Sequence, residues 1–102
     1  MLIYELTLTI EDEWFDAVSA HAQLTVLDML DTDCFAGITL ESAAGRLRIR
    51  AKAADQAMLD RYLDVFAPDL RADFLEHFPL GIHIERAVWQ LLGEHDNHDQ
   101  EK

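Results

Sequence analysis

The sequence contains one cysteine, Cys34, so no disulfide can form within the chain. A lone thiol suits a reducing compartment, and the cytoplasm is the expected location. No apolar run approaches the length of about 18 residues that a transmembrane helix needs. Met1 to Ile10 lacks a basic leader and a small-residue cleavage site, and it alternates polar with apolar, unlike a signal peptide. There is no Gly-rich phosphate loop, no Gly-x-Ser-x-Gly and no His-Glu-x-x-His. ATP use, hydrolase triads and zinc-protease chemistry therefore have no support. Lys and Arg are absent before Arg46 and number only 8 in all, against 20 Asp and Glu. The resulting net charge of −12 argues against nucleic acid and anionic membranes as partners.

What is present fits one small domain. The chain has 102 residues, half of them hydrophobic. A chain of this size hides roughly 65% of its unfolded surface on folding, enough for a core without staples. Leu2, Tyr4, Leu6, Leu8 and Ile10 alternate with Ile3, Glu5, Thr7 and Thr9, which predicts a strand. Glu11, Asp12 and Glu13 then favour a helix start, with Asp12 as N-cap. Trp14, Val18, Ala22 and Met29 follow at helical spacing to about Asp31. Cys34 to Ser42 reads as a second strand and Gly45 to Ala53 as a third, joined by a short hairpin link. A second helix is predicted from Asp55 to Phe66, with a kink or restart at Pro68. Leu70, Phe74 and Phe78 continue at helical spacing. A fourth strand is expected from Leu80 to about Leu91, with Leu80, Ile82 and Ile84 on one face.

The order β-α-β-β-α-β, with right-handed crossovers, predicts a ferredoxin-like α+β domain over residues 1–92. Its four-stranded antiparallel sheet would run 4-1-3-2, with both helices on one face. Residues 93–102 read as a disordered acidic tail.

The uncovered face collects the charge. Arg46, Arg48, Arg50 and Lys52 line one side of strand three. Glu5, Thr7 and Thr9 come from strand one, Phe35, Thr39 and Glu41 from strand two, and His83, Glu85, Ala87 and Trp89 from strand four. One reading is a solvated face with charge ladders that fix register. The other is a cavity floor for a small anionic or carbonyl compound, with Glu5, Thr7, Arg48, Arg50, His83 and Glu85 as candidate ligand-binding residues. There Arg48 and Arg50 would hold the acid group, and His83 or Glu5 would move a proton. His21 reads as a boundary histidine on helix one, and His77 as a cation at a helix C-terminus. Cys34, beside Asp33, reads as packed rather than reactive. His95 and His98 fall in the tail, which offers a metal no fixed geometry. No cofactor and no metal site is expected.

Several stretches resemble the domain of unknown function 4286 family of small bacterial proteins. They are Ile3-Tyr4-Glu5-Leu6-Thr7, Glu13-Trp14, Cys34-Phe35 with Gly37, and Tyr62-Leu63 followed by Ala67-Pro68-Asp69-Leu70-Arg71 and Phe78. The resemblance implies a ferredoxin-like fold of the dimeric α/β-barrel type and hence a homodimer through the sheet, and it brings no reaction with it. Three functional readings stand. The first is a non-enzymatic or ligand-binding dimer. The second is a cofactor-independent monooxygenase-like or isomerase-like enzyme. The third is an acidic protein-interaction module.

Overall fold

The computed structural model describes residues 1–96. Strand β1 (Leu2–Ile10) leads through a short 3-10 turn, Asp12–Trp14, into α1 (Phe15–Asp31). Strands β2 (Gly37–Ala43) and β3 (Arg46–Ala53) form the hairpin. Helix α2 (Gln56–Arg61) passes through a π-helical stretch, Tyr62–Phe66, into α3 (Ala67–His77), and β4 (Ile82–Gln90) closes the sheet. The strands run antiparallel in the order β2-β3-β1-β4. That is the ferredoxin-like arrangement and the strand order expected. Among the described residues no helix is long and apolar enough to cross a membrane.

The alternation in β1 and β3 builds the core directly. Tyr4, Leu8 and Ile10 point inward with Leu47, Ile49, Ala51 and Ala53, all buried. Val18, Ala22 and Met29 of α1, and Leu59 and Tyr62 of the second helical segment, close over them. Asp55 caps α2, its carboxylate accepting from the Met58 N–H at 3.0 Å. Pro68 sits in the first turn of α3, where its missing N–H costs nothing further. The helix widens just before it, and the Ala67 N–H reaches back five residues to the Tyr62 carbonyl. The break at Pro68 is therefore a restart.

Four expectations are corrected. Glu11, not Asp12, occupies the extended cap position before the first helical turn, and its carbonyl accepts from the Trp14 N–H. Phe35 does not lie on the open face. Asp33 takes a left-handed turn at φ 60°, which tucks Cys34 and Phe35 into the core and delays β2 to Gly37. Phe35 packs edge-on against Tyr62, ring centroids 4.7 Å apart. Leu80 lies outside β4 and is 80% exposed. The reason is Gly81, at φ +87°, where the chain turns beneath the Trp14 indole. A Cβ there would sit 2.5 Å from Trp14 Cδ1. At the other end, Glu94 reaches Lys52 on the open face at 3.1 Å. The expected tail falls largely on 97–102, outside the described residues, as does His98.

Candidate functional site

Register places the predicted residues of the open face side by side. Glu5 stands opposite Arg50, Thr7 opposite Arg48 and Thr9 opposite Arg46. On the other flank Thr7 stands opposite Glu85 and Thr9 opposite His83. On β2, Glu41 stands opposite Arg48. Arg48 Nε donates to Glu41 Oε1 at 3.0 Å. Arg50 Nε lies 3.2 Å from Glu5 Oε2, an ion contact without hydrogen-bond geometry. His83 Nε2 and Glu85 Oε1 are 3.2 Å apart, both mostly exposed. The six candidates thus share one face, but their charges are divided among local pairs. Two open troughs cross this face, of about 310 Å³ beside Thr7 and Arg48 and about 620 Å³ beside Ile3 and Arg50.

The helix-covered face holds a different constellation. A cavity of about 60 Å³ lies between the sheet and the helices. Leu6, Leu8 and Ile49 floor it, Met29, Leu70 and Phe74 roof it, and Tyr4, Tyr62, Arg71 and Arg86 bring its polar groups. It is smaller than either trough, yet it alone combines buried hydroxyls, guanidinium groups and apolar walls. The Tyr4 and Tyr62 side chains are buried, while Arg71 and Arg86 are exposed residues that reach the same space from its solvent side.

Each element delivers its residue for a visible reason. Tyr4 occupies an inward position of β1, beside Val88 of β4. Arg86 follows Ile82 and Ile84 on the inward side of the edge strand, opposite Leu6. Tyr62 begins the π-helical stretch, a local widening often found at functional sites. Arg71 lies one turn past Pro68 on α3. The two tyrosine rings are 5.8 Å apart at their centroids.

Burial pushes the Tyr4 hydroxyl above the ordinary tyrosine range, and the positive charges of Arg86 and Arg71 pull it part of the way back. Burial pushes Tyr62 up strongly. Its neighbour Tyr4 adds to that rise, while Arg71 and Arg86 again oppose it. Both hydroxyls are therefore neutral donors near pH 7, under a positive field from the two guanidinium groups. That combination suits an oxyanion or phenolate held among apolar walls.

Sequence reading singled out neither Arg71 nor Arg86 as a site residue. A signal existed for Arg86, because a base falls in phase with Ile82 and Ile84 on an otherwise apolar face. The same reading kept His21 and His77 apart, whereas the structure brings them together around Asp73.

No family model and no curated protein matches the chain, so the resemblance carried by the sequence motifs has no family-model support. Solved structures do match along nearly the whole chain. One, from Deinococcus radiodurans, is described as an antibiotic biosynthesis monooxygenase. It is 16% identical, with a TM-score of 0.66, over 95% of this chain and 97% of its own. A second of the same description, from Nitrosomonas europaea, has a TM-score of 0.73 at 6% identity, over 91% and 100%. A variant of SnoaB from Streptomyces nogalater, a cofactor-independent oxygenase, has a TM-score of 0.68 at 14% identity, over 91% and 94%. At these identities the likeness establishes that the chain has the ferredoxin-like fold shared by antibiotic biosynthesis monooxygenase-like proteins.

Proposed function

We propose that the chain binds a small, mostly apolar aromatic compound bearing one anionic oxygen in the cavity between sheet and helices, and acts on it as a cofactor-independent oxygenase. The observation that carries this reading is the meeting of Tyr4, Tyr62, Arg71 and Arg86 around apolar walls. The oxygenase step is suggested by the structural neighbours described as monooxygenases. In such a step an activated methylene of the substrate would become a carbonyl. Dioxygen would supply that oxygen atom, and its second atom would leave as water with the two hydrogens. The substrate would provide all the electrons. Arg71 and Arg86 would favour the enolate or phenolate from which electrons leave, and the tyrosine hydroxyls would orient it.

The cavity, at about 60 Å³, has room for about two waters at roughly 30 Å³ each, so an aromatic ligand must widen it. The π-helical stretch and the restart at Pro68 mark where the covering helix can yield. Titration with 2-naphthoate, followed by calorimetry, tests the site. Arg71→Gln with Arg86→Gln is expected to weaken binding by about tenfold or more, the loss of one to two charge-assisted contacts. Arg48→Gln with Arg50→Gln is expected to leave it unchanged. The reverse pattern would place the ligand on the open face, among Glu5, Thr7, Arg48, Arg50, His83 and Glu85. If binding is seen, oxygen uptake with an enolisable aromatic ketone tests the reaction separately.

We also propose that two copies pair through the open sheet face. Two chains of net charge −12 repel one another over most of their surfaces. On this face Glu5, Glu41, Glu85 and Glu94 are matched by Arg46, Arg48, Arg50 and Lys52, and Trp89 is 54% exposed. Among the described residues of this face, acidic and basic side chains balance, so the repulsion is locally cancelled there. Light scattering behind size exclusion is expected to give twice the chain mass at micromolar concentration. Arg48→Glu with Arg50→Glu should return it to one. A wild-type monomer would end this reading.

A further inference from the structure

We propose that His21, Asp73 and His77 bind one divalent first-row transition-metal ion, with Zn²⁺ the best fit, and that the ion clasps α1 to α3. One ligand atom from each of the three side chains lies within 4.8 Å of the others. His21 Nε2 is 3.1 Å from Asp73 Oδ2, and His77 Nδ1 is 3.6 Å from Asp73 Oδ1. A tetrahedral ion with bonds of about 2.1 Å holds its ligands about 3.4 Å apart. The two contacts to Asp73 are already close to that spacing.

The three residues differ in freedom in a useful way. His21 is mostly buried, with 15% of its side chain exposed. Its ring packs edge-on against Phe74 and Phe78, at 5.1 and 5.5 Å between centroids. Asp73 and His77 are about half exposed and stand one turn apart on α3. A fixed imidazole thus faces two side chains that can rotate onto an ion. The His77 ring lies 4.5 Å from the His21 ring. Its Nδ1 lies 2.9 Å from the Asp73 carbonyl, a bond that the ring gives up when this nitrogen turns to the ion.

The donor set chooses the ion. Two imidazoles and one carboxylate suit Zn²⁺ and its first-row neighbours, while Mg²⁺ and Ca²⁺ prefer oxygen ligands. Three protein ligands leave the fourth position to water. On binding, the proton shared between His21 Nε2 and Asp73 moves to His21 Nδ1 or to solvent, so the bond to the ion replaces the bond to the carboxylate. The ion sits behind the cavity wall rather than inside it. Phe74 faces the cavity as well as the His21 ring, and Thr25, which also lines the cavity, donates to the His21 carbonyl at 3.1 Å. Without metal, the same residues amount to a polar contact between two helices.

The test is Zn²⁺ titration of the full chain by calorimetry, with Co²⁺ absorption as a report on geometry. The expected result is one ion per chain and the visible bands of a four- or five-coordinate Co²⁺ site. A higher thermal midpoint in Zn²⁺ but not in Mg²⁺ is also expected. Asp73→Asn and His77→Gln change exposed groups and should keep the fold by circular dichroism. Each is expected to weaken Zn²⁺ binding at least about 100-fold, since even loss of an outer-shell partner costs 10- to 100-fold. His95→Gln with His98→Gln should leave binding intact. Absence of stoichiometric binding to the wild type would overturn the proposal. So would binding that survives Asp73→Asn and His77→Gln but is lost with the two tail histidines.

Discussion

Met29→Ala is expected to destabilise the fold by about 3 kcal/mol, within the range of about 2–5 kcal/mol for truncating a buried methionine. Met29 is fully buried, near the C-terminal end of α1, in the cluster that joins Tyr4, Ile49, Leu59 and Tyr62. It also walls the cavity. Truncation would open its volume into space that already exists, so the neighbours cannot simply collapse to fill it. The loss should be read from the urea midpoint, with an unchanged slope as the sign that both end states are otherwise the same. In a domain of this length the thermal midpoint should fall by roughly 12–20 °C. Met29→Leu, which nearly conserves volume, should cost less than about 1.5 kcal/mol. A loss for Met29→Ala below about 1 kcal/mol would mean that the roof of the cavity is loosely packed.

The same substitution separates stability from binding. If the cavity is the ligand site, Met29→Ala enlarges it while leaving Arg71 and Arg86 in place. The variant should then be less stable but bind 2-naphthoate at least as tightly as the wild type, because less widening is required. A ligand on the open face would be indifferent to this change. Core truncation thus tests the assignment of the site from the side opposite to the arginine substitutions.

How much of this was legible in the sequence depends on which interactions write a local pattern. Strand pairing does. Leu2 to Ile10 and Arg46 to Ala53 alternate so cleanly that face and partner follow, and the crossover rule then orders the strands. Single-residue backbone events do not. Asp33 adopts a left-handed conformation that turns Cys34 and Phe35 inward, and no apolar period announces it. Leu80 looked like the first member of a strand face, but the turn at Gly81 leaves it in solvent. The open-face charges were visible because they repeat along one strand. The cavity residues were not, because Tyr4, Tyr62, Arg71 and Arg86 meet only through the fold. Arg86 leaves a local trace, a base in phase with Ile82 and Ile84, but the convergence of the four is a long-range property. His21, Asp73 and His77 were hidden for the same reason, since α1 and α3 touch there across 52 positions.

Alkaline titration is expected to give the second large effect, and it reaches the functional reading as well. Tyr4 and Tyr62 are the only tyrosines in the chain. Both are buried, and burial raises both above the ordinary value of about 10. The folded state therefore holds these protons more tightly than the unfolded state. Their contribution to stability is complete below about pH 10 and is lost as the pH climbs toward the folded-state values. The native protein should show little tyrosinate absorbance where an unfolded chain is half ionised. Ionisation of Tyr62 should coincide with loss of the circular dichroism signal. Tyr62→Phe leaves Tyr4 as the sole reporter. In that background, removing Arg71 and Arg86 should move Tyr4 ionisation to still higher pH, because the two cations are what hold it down against burial. A shift in that direction would mean that both guanidinium groups act on the cavity interior, as holding an anionic oxygen there requires. If the Tyr4 titration does not move, the two arginines are screened by solvent, and the cavity loses the positive field on which the proposed chemistry depends.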